Sequence, residues 1–171
     1  MEFFDVLQSR QSIRQFAEKA VEEDKLRRIL SAANQAPSAG NLQAYEIFIV
    51  RENSDRKALA KAALGQDFMA RAPVSLVFCA HPGRAAVKYG QRGRRLYSIQ
   101  DATIACAYAM LTATALGLAT VWIGAFRDAE VKLAIRAPEE LEPVAILPIG
   151  YPAEKPAPTL RRRIEDLAHE L

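Results

Sequence analysis

Apolar residues recur along the chain with helical spacing in some segments and as short β-rich runs in others. Helical spacing predicts helices at 3–9, 23–35, 54–63, 66–71 and 128–136, the third of them capped by Ser54 or Asn53. Runs rich in β-branched and aromatic residues predict strands at Tyr45–Val50, Val74–Ala80, Ala119–Ile123 and Val144–Ile149. Because the two kinds of element mix without strict alternation, we expect an α+β fold with helices around one central sheet.

The segment Ile99–Leu118 is almost continuously apolar and is predicted to be one long helix. It is about long enough to span a bilayer. However, it contains Asp101 and much of its apolar content is alanine, so we favour a buried helix over a membrane span. Its small residues would let a second helix approach closely, which suits a subunit interface.

Length and composition indicate an ordinary globular chain. With 171 residues, half of them apolar, we expect a single domain over 1–171 that needs no disulfide or metal. Cys79 and Cys106 lie in apolar runs and are expected in the core. The net charge of +3 suits an anionic small ligand better than a nucleic acid. The N-terminus shows no secretory pattern, which predicts a cytoplasmic location.

The first motif with chemical potential is Ser9-Arg10-Gln11-Ser12-Ile13-Arg14-Gln15-Phe16. In an extended chain, alternate side chains point the same way, so Arg10, Ser12 and Arg14 would share one face. Two guanidinium groups and a hydroxyl match a phosphate dianion. The alternative interpretation is a solvated basic stretch with a serine cap.

The second motif is Ala36-Pro37-Ser38-Ala39-Gly40-Asn41-Leu42-Gln43, just before a predicted strand. Its small residues would let a planar ring approach the backbone. Asn41 and Gln43 each offer a donor and an acceptor, as the edge of a heterocycle requires. The alternative is an ordinary loop between a helix and a strand.

Two further segments indicate a ligand site less strongly than these two motifs. In Trp122-Ile123-Gly124-Ala125-Phe126, the small residues could present backbone N–H groups to a ligand, or simply form a turn after a core strand. Late in the chain, Arg161 or Arg163 could return to a phosphate site. The two histidines, His81 and His169, do not suggest a catalytic triad or a metal site. If the chain is an enzyme, we therefore expect a bound cofactor, such as a flavin, to supply the chemistry.

The segment His81–Tyr97 carries five Lys or Arg residues and no acid. We interpret it as a basic loop, with His81 at a strand end. It borders the predicted ligand pocket, or it belongs to a nucleic-acid-binding module, because Tyr89 and Tyr97 accompany the charges. The second interpretation is disfavoured because no nucleic-acid-binding motif is present.

Taken in order, these motifs resemble the nitroreductase family of FMN-dependent NAD(P)H oxidoreductases. The resemblance runs from about Phe4 to Arg163. It also includes Gln-Asp at the start of the apolar helix, Leu-Gly-Leu-Ala-Thr-Val-Trp-Ile-Gly-Ala-Phe, and Pro-Ile-Gly-Tyr-Pro-Ala-Glu. It implies a mainly antiparallel sheet flanked by helices, in an intertwined homodimer with FMN at the subunit interface.

The resemblance also implies a site. The phosphate and ribityl chain would be held by Arg10, Gln11, Ser12 and Arg14, with Arg161 (or Arg163) helping from the tail. The partner subunit would supply Pro37, Ser38, Ala39, Asn41 and Gln43. The flavin ring would lie against Ile123, Gly124 and Ala125, with Gln66 on its pyrimidine side.

The implied activity is hydride transfer from NADH or NADPH, through FMN, to a small acceptor such as a nitroaromatic or a quinone, with no metal, no nucleic acid and no membrane. Flavin fragmentation, reductive dehalogenation and flavin storage are alternatives within the same fold. Many relatives carry an inserted helical excursion before the long helix that shapes their substrate pocket. Here that region is short and basic, so the resemblance does not carry over a substrate.

Overall fold

The computed structural model describes residues 1–170. Six α-helices and four β-strands follow one another along the described chain: α1 Phe3–Ser9, α2 Glu23–Asn34, β1 Tyr45–Val50, α3 Asn53–Ala62, β2 Val74–Ala80, α4 Pro82–Arg92, α5 Ser98–Ala115, β3 Ala119–Thr120, α6 Asp128–Ile135 and β4 Glu142–Gly150. Short 3₁₀ turns occupy Ala39–Asn41, Asp67–Arg71 and Ile164–Asp166, and a π-helical turn occupies Gly93–Tyr97.

The strands form one sheet in the order β1-β2-β4-β3, and each neighbouring pair is antiparallel. β2 lies near the centre and all of its residues are buried. Its pairing with β4 contains one register irregularity, between Phe78 and Cys79. The expectation of an α+β fold with a mainly antiparallel central sheet is therefore confirmed.

The two faces of the sheet are covered by different helices. Leu76 and Phe78 of β2 pack in one apolar cluster with residues of α2 and α5. Val77 and Cys79, which alternate with them, pack in a second cluster with residues of α3 and α6. Because both faces of β2 are covered, its sequence is apolar apart from Ser75 and shows no alternation.

The long apolar helix is shorter than predicted. α5 ends at Ala115, because Gly117 adopts a left-handed conformation with φ of 75° and the N–H of Leu118 donates back to the carbonyl of Ala113 at 2.9 Å. β3 is also shorter than predicted, with regular pairing only at Ala119–Thr120 and a separate bridge from Ile123 to Ile146. Within residues 1–170, no helix is both long and apolar enough to cross a membrane.

The two faces of α5 differ. Small side chains on the inner face are buried against the sheet: Ala102, Ala105, Cys106, Ala109 and Ala113. The outer face carries Ile104, Tyr108, Leu111 and Ala115 at i, i+4, i+7 and i+11. None of these four is buried within the chain, and Tyr108 is 40% exposed. The chain alone therefore leaves an apolar helix face uncovered.

The basic segment after β2 is a helix, so the prediction of a loop is wrong. Pro82 occupies the first turn of α4, where its missing N–H costs nothing, and Nδ1 of His81 accepts a hydrogen bond from the N–H of Arg84 at 3.2 Å. His81 is therefore a helix cap. The predicted cap of α3 is also wrong, since Glu52 precedes the helix and makes no side-chain cap bond.

Candidate functional site

The segment Arg10–Phe16 runs extended beside β3. Ser12 forms a parallel bridge with Thr120, and the N–H of Ile13 donates to the carbonyl of Thr120 at 3.0 Å. Ile13 and Phe16 are buried and anchor the segment to the body of the protein. The polar side chains between and before them remain accessible.

Three polar side chains of this segment have no bonding partner within residues 1–170. Neither the guanidinium of Arg10 nor that of Arg14 makes a hydrogen bond or an ion pair there, and the hydroxyl of Ser12 makes no hydrogen bond. The carboxylate of Glu154 accepts from the backbone N–H groups of Arg14 and Gln15, so it orders the backbone and leaves the cations open. Unpaired guanidiniums beside a hydroxyl form a donor set suited to a phosphate.

Arg10 and Gln11 line a cleft of about 360 Å³. Its walls come from the end of α5, from β3 and from the chain after β4, including Thr114, Thr120, Glu154 and Pro156. Gln11 and Ile13 line this cleft and Ser12 and Arg14 do not, as the alternation of an extended backbone predicts. Arg10, the C-cap of α1, lines it as well, so the cleft does not group Arg10 with Ser12 and Arg14 as expected.

The loop Pro37–Gln43 has an unusual backbone. Gly40, Asn41 and Gln43 adopt positive φ values of 58°, 57° and 47°. For residues other than glycine this conformation costs of order 1–3 kcal/mol, and it persists only where the surroundings enforce it. Such strain is common at ligand-binding loops.

Asp101 enforces the shape of this loop. It lies in the first turn of α5 and is 2% exposed. Its two carboxylate oxygens accept from the N–H of Ala39 at 2.9 Å and from the N–H of Ala44 at 3.3 Å, one at each end of the loop. Ser38 closes the loop internally, since its hydroxyl accepts from the N–H of Gln43 at 3.0 Å. Burial and, secondarily, the charge of Asp101 raise the pKa of nearby Tyr45.

α4 holds the same loop from outside. The guanidinium of Arg84 donates to the carbonyls of Gln43 at 2.7 Å and Tyr45 at 3.3 Å and pairs with the carboxylate of Glu46. At the loop tip, a Cβ on Gly40 would lie 2.6 Å from the hydroxyl oxygen of Tyr89. Glycine is therefore favoured there by its φ, and a Cβ would displace the side-chain ends of Tyr89 and Lys88.

The turn after β3 presents exposed backbone. Ile123 is buried, whereas Gly124 and Ala125 are exposed. Within residues 1–170, neither of their N–H groups donates a hydrogen bond. Gln66 is brought to this turn, because its Nε2 donates to the carbonyls of Ala63 at 2.9 Å and Ala125 at 3.3 Å. The structure thus joins two predicted site elements that are far apart in sequence.

The predicted tail cation makes no hydrogen bond or ion pair with the other predicted site residues within residues 1–170. Arg161 is exposed, and its guanidinium reaches only the nearby carbonyls of Thr159 and Leu160. Arg163 forms an ion pair with Glu165 at 3.2 Å. Of the two candidates, Arg161 has the guanidinium without a carboxylate partner among the described residues.

The two main motifs lie at opposite ends of α5. Pro37, Ser38 and Ala39 line a second cleft, of about 490 Å³, together with Tyr97, Gln100, Asp101, Thr103 and Ile104. Among the described residues, none lines both this cleft and the one at Arg10. Gln100 and Thr114, one in each lining, are 14 residues apart on the helix, or about 21 Å along its axis. One chain therefore does not assemble the two motifs into a single cradle.

Three residues that shape the site were not among the predicted site residues: Asp101, Arg84 and Glu154. Asp101 had a usable signal, since an acid in an otherwise apolar helix needs buried donors. Arg84 and Glu154 bind chiefly backbone groups, which no sequence pattern reveals.

Comparison with known proteins identifies the family of the chain. The sequence pattern described as "Nitroreductase family" matches residues 7–66 and 54–151. The chain belongs to the nitroreductase family, as its motifs suggested. It is 33% identical to a protein of Thermus thermophilus named NADH dehydrogenase, over 91% of this chain and 89% of that protein.

A second relative and a solved structure are similar to nearly the whole chain. The chain is 32% identical to a Bacillus subtilis protein named FMN reductase [NAD(P)H], over 96% of this chain and 71% of that one. Its fold superimposes on the structure of B. megaterium NfrA2 with a TM-score of 0.90 at 30% identity, covering 99% of this chain and 74% of the other.

Proposed function

We propose that this protein is an FMN-dependent oxidoreductase that passes a hydride from NADH or NADPH to an electron-poor acceptor such as a nitroaromatic or a quinone. The observation that carries the proposal is a set of unused donors: the guanidiniums of Arg10 and Arg14, the hydroxyl of Ser12 and the N–H groups of Gly124 and Ala125. A phosphate and the edge of a flat heterocycle need donors of these kinds. The names of the relatives, FMN reductase and NADH dehydrogenase, support the same assignment.

In this proposal, separate parts of the chain bind the phosphate end and the ring of FMN. Arg10, Ser12 and Arg14 bind the phosphate, Gln11 adjoins the ribityl chain, and Arg161 adds a cation from the tail. Ile123, Gly124 and Ala125 lie along the ring, and Gln66, which is held at that turn, reaches its pyrimidine side. When bound, FMN supplies the capacity to take up and release a hydride.

The side chains provide binding, orientation and electrostatics. The N–H groups of Gly124 and Ala125 offer donors toward the ring edge, and Arg10 and Arg14 supply positive charge at the phosphate. No histidine of the described chain lies in this set, since His81 caps α4 and His169 is exposed. The proposed reaction needs no separate acid or base from the protein.

The proposed active unit is a homodimer, because each cradle is incomplete in one chain. The uncovered outer face of α5 has its midpoint near Tyr108. A two-fold axis across that midpoint would pair the helices and set the start of one α5 beside the end of the other. That arrangement brings the loop Pro37–Gln43 of one copy to the Arg10 segment of its partner.

The loop then supplies shape at the flavin. Pro37, Ser38 and Ala39 line the loop cleft, and Asn41 and Gln43 sit in the left-handed part of its backbone. Because Asp101 and Arg84 fix the loop within its own chain, it is ordered before it meets the cofactor. We propose that these five loop residues contact the FMN of the partner subunit.

The test is to purify the protein and record its visible absorbance before and after adding FMN. We expect flavin bands and one FMN per chain. We also expect oxidation of NADH or NADPH when menadione or a nitrofuran is added. Bound flavin without turnover would instead support flavin storage. A protein that is colourless as purified and does not bind added FMN would refute the proposal.

A further inference from the structure

The basic cap, defined here as residues 82–97, has a strong net positive charge. It carries Arg84, Lys88, Arg92, Arg94 and Arg95 and no acidic residue. Arg84 is neutralised by Glu46. The other four cations form no ion pair within residues 1–170. A surface with four uncompensated charges in eight residues attracts anions.

Two of these cations lie close to the loop Pro37–Gln43 or to a residue that lines its cleft. Nζ of Lys88 lies 2.9 Å from the position a Cβ on Gly40 would occupy, so it sits at the tip of the loop Pro37–Gln43. Nε of Arg92 donates to the hydroxyl of Tyr97 at 2.9 Å, and Tyr97 lines the cleft beside Pro37 and Ala39. Lys88 therefore lies against the loop, and Arg92 lies against a residue that lines its cleft.

The backbone makes this placement rigid. Gly90 interrupts α4 with φ of 54° and ψ of −137°, and the chain folds back so that Tyr89 packs edge-on against Tyr97 with ring centroids 5.1 Å apart. A Cβ on Gly93 would lie 2.5 Å from the carbonyl oxygen of Ala85, which shows how closely the two arms pack. The cations are mounted on this hairpin rather than on a loose loop.

The side chain of Arg92 is also oriented. Its Nε is engaged by Tyr97, and its two terminal nitrogens make no hydrogen bond within residues 1–170. Those nitrogens remain available as a fork for paired phosphate oxygens. Lys88 adds a second charge, with its Nζ 5.4 Å from the centroid of the Tyr89 ring.

We propose that Lys88 and Arg92 bind the 2′-phosphate of NADPH and make this protein prefer NADPH to NADH. The inference rests on the proposed function, in which the nicotinamide must lie against the flavin and the adenosine end must leave the cleft. The two donors differ only in the 2′-phosphate, a group with a charge near −2 at neutral pH. Family membership does not decide the donor, since relatives are named for NADH and for NAD(P)H.

The test compares the wild-type protein with the double variant Lys88→Gln/Arg92→Gln. Calorimetry with adenosine 2′,5′-bisphosphate and with AMP isolates the 2′-phosphate without requiring turnover. We expect the variant to bind the bisphosphate at least about tenfold more weakly, because two charge-assisted contacts are lost, and AMP less than about twofold more weakly. In steady-state assays the KM for NADPH should rise by a similar factor, while the KM for NADH changes less than about threefold.

The matched control is Lys57→Gln/Lys61→Gln, which removes the same charge from exposed positions of α3 on the opposite face of the sheet. It should leave both affinities unchanged. Arg92→Lys should restore part of the affinity, since it keeps the charge and loses the fork. Thermal unfolding of each variant checks that the hairpin is intact.

Several results would overturn this proposal. Equal losses for the bisphosphate and AMP, or no loss for either, would remove the 2′-phosphate from Lys88 and Arg92. If the wild-type protein binds duplex DNA at physiological salt and the double variant does not, the basic cap is a nucleic-acid-binding surface. If the protein binds no FMN and oxidises neither donor, the proposed function fails, while the two nucleotides still decide whether this phosphate site exists.

Discussion

In the loop Pro37–Gln43 the backbone groups are largely paired inside the chain, whereas in the segment Arg10–Arg14 the polar side chains are left without partners. The loop is held by Asp101, Ser38 and Arg84 through hydrogen bonds to its backbone. The segment is held by its buried apolar residues and by Glu154, and its guanidiniums contact no partner within residues 1–170.

This difference separates two ways of building a binding site. A loop that is strained and internally satisfied offers shape, because its conformation is decided before any ligand arrives. A segment with unpaired cations offers charge, and its donors gain most when an anion binds. Substitutions in the loop should therefore affect folding and binding together, while substitutions in the segment should affect binding alone.

The two regions are also separated along α5, and the largest predicted effect tests whether a second copy unites them. Tyr108→Glu places a charge at the middle of the outer face of α5, where two copies would face each other. We expect a monomer that binds FMN at least about 100-fold more weakly, because each cradle loses one half and burying an unpaired charge is costly. Sedimentation velocity and an FMN titration measure both quantities.

The control for this variant is Leu133→Glu, since Leu133 is 80% exposed on α6, on the other face of the sheet. It should remain dimeric and bind FMN normally. A Tyr108→Glu protein that is monomeric and still binds FMN tightly would show that one chain holds the whole site, and the division between the two regions would have no functional meaning.

The second prediction concerns the buried support of the loop. Asp101→Ala removes the acceptor for two backbone N–H groups, and hydrogen bonds to a charged group contribute about 1.5–3 kcal/mol each. We expect the free energy of unfolding to fall by about 3 kcal/mol in urea denaturation, since the two donors share one carboxylate. FMN binding should weaken as well.

Asp24→Ala, at an exposed position in the first turn of α2, is the control and should cost less than about 0.5 kcal/mol. If Asp101→Ala unfolds like the wild-type protein, the loop is held chiefly by Arg84 and α4.

The sequence predicted the elements well where burial alone decides them. β1 and β2 match their predicted bounds, because their apolar β-rich runs have no competing interpretation. α4 was missed because its start depends on Pro82 and the cap His81, and its buried side chains are small, such as Ala85. The end of α5 was misplaced because Leu116 and Leu118 continue the apolar pattern past Gly117.

The candidate site was predicted less completely than the fold. The motifs themselves mark Arg10, Ser12 and Gly124, and the resemblance supplied their roles. The left-handed conformation of Gln43 was not predictable, because tertiary contacts impose it on a residue type that rarely adopts it, whereas asparagine, as at position 41, adopts it more readily. The clamp at Asp101 acts on backbone N–H groups, which every residue except proline carries, so no sequence pattern marks its partners.

The third prediction isolates charge from shape. Arg14→Ala removes a guanidinium that contacts nothing within residues 1–170, so the free energy of unfolding should change by less than about 0.5 kcal/mol. The affinity for FMN should fall about 10- to 100-fold, the loss of one charge-assisted contact to a phosphate. Fluorescence titration with FMN measures the binding, and urea denaturation without FMN measures the stability.

Arg28→Ala on the exposed side of α2 is its control and should change neither quantity. Unchanged FMN affinity in Arg14→Ala would remove Arg14 from the phosphate site. A large loss of stability would instead mean that the segment is a structural element like the loop.

The smallest predicted effect compares the same change, glycine to alanine, in the loop Pro37–Gln43 and in the turn after β3. Gly40→Ala should reduce the free energy of unfolding by about 1–2 kcal/mol, because a left-handed residue with a Cβ is strained. The new methyl group would also displace Tyr89 and Lys88.

In Gly124→Ala the nearest atom is Nε1 of Trp122 at 3.4 Å, an ordinary contact, and its φ is not positive, so stability should hold within about 0.5 kcal/mol. The methyl group would lie on the exposed turn proposed to face the flavin. The kcat/KM should therefore still fall several-fold in steady-state assays with NADPH. If instead Gly124→Ala is the less stable protein and Gly40→Ala the less active one, the loop contacts the ligand more closely than the turn, and the roles of the two regions are exchanged.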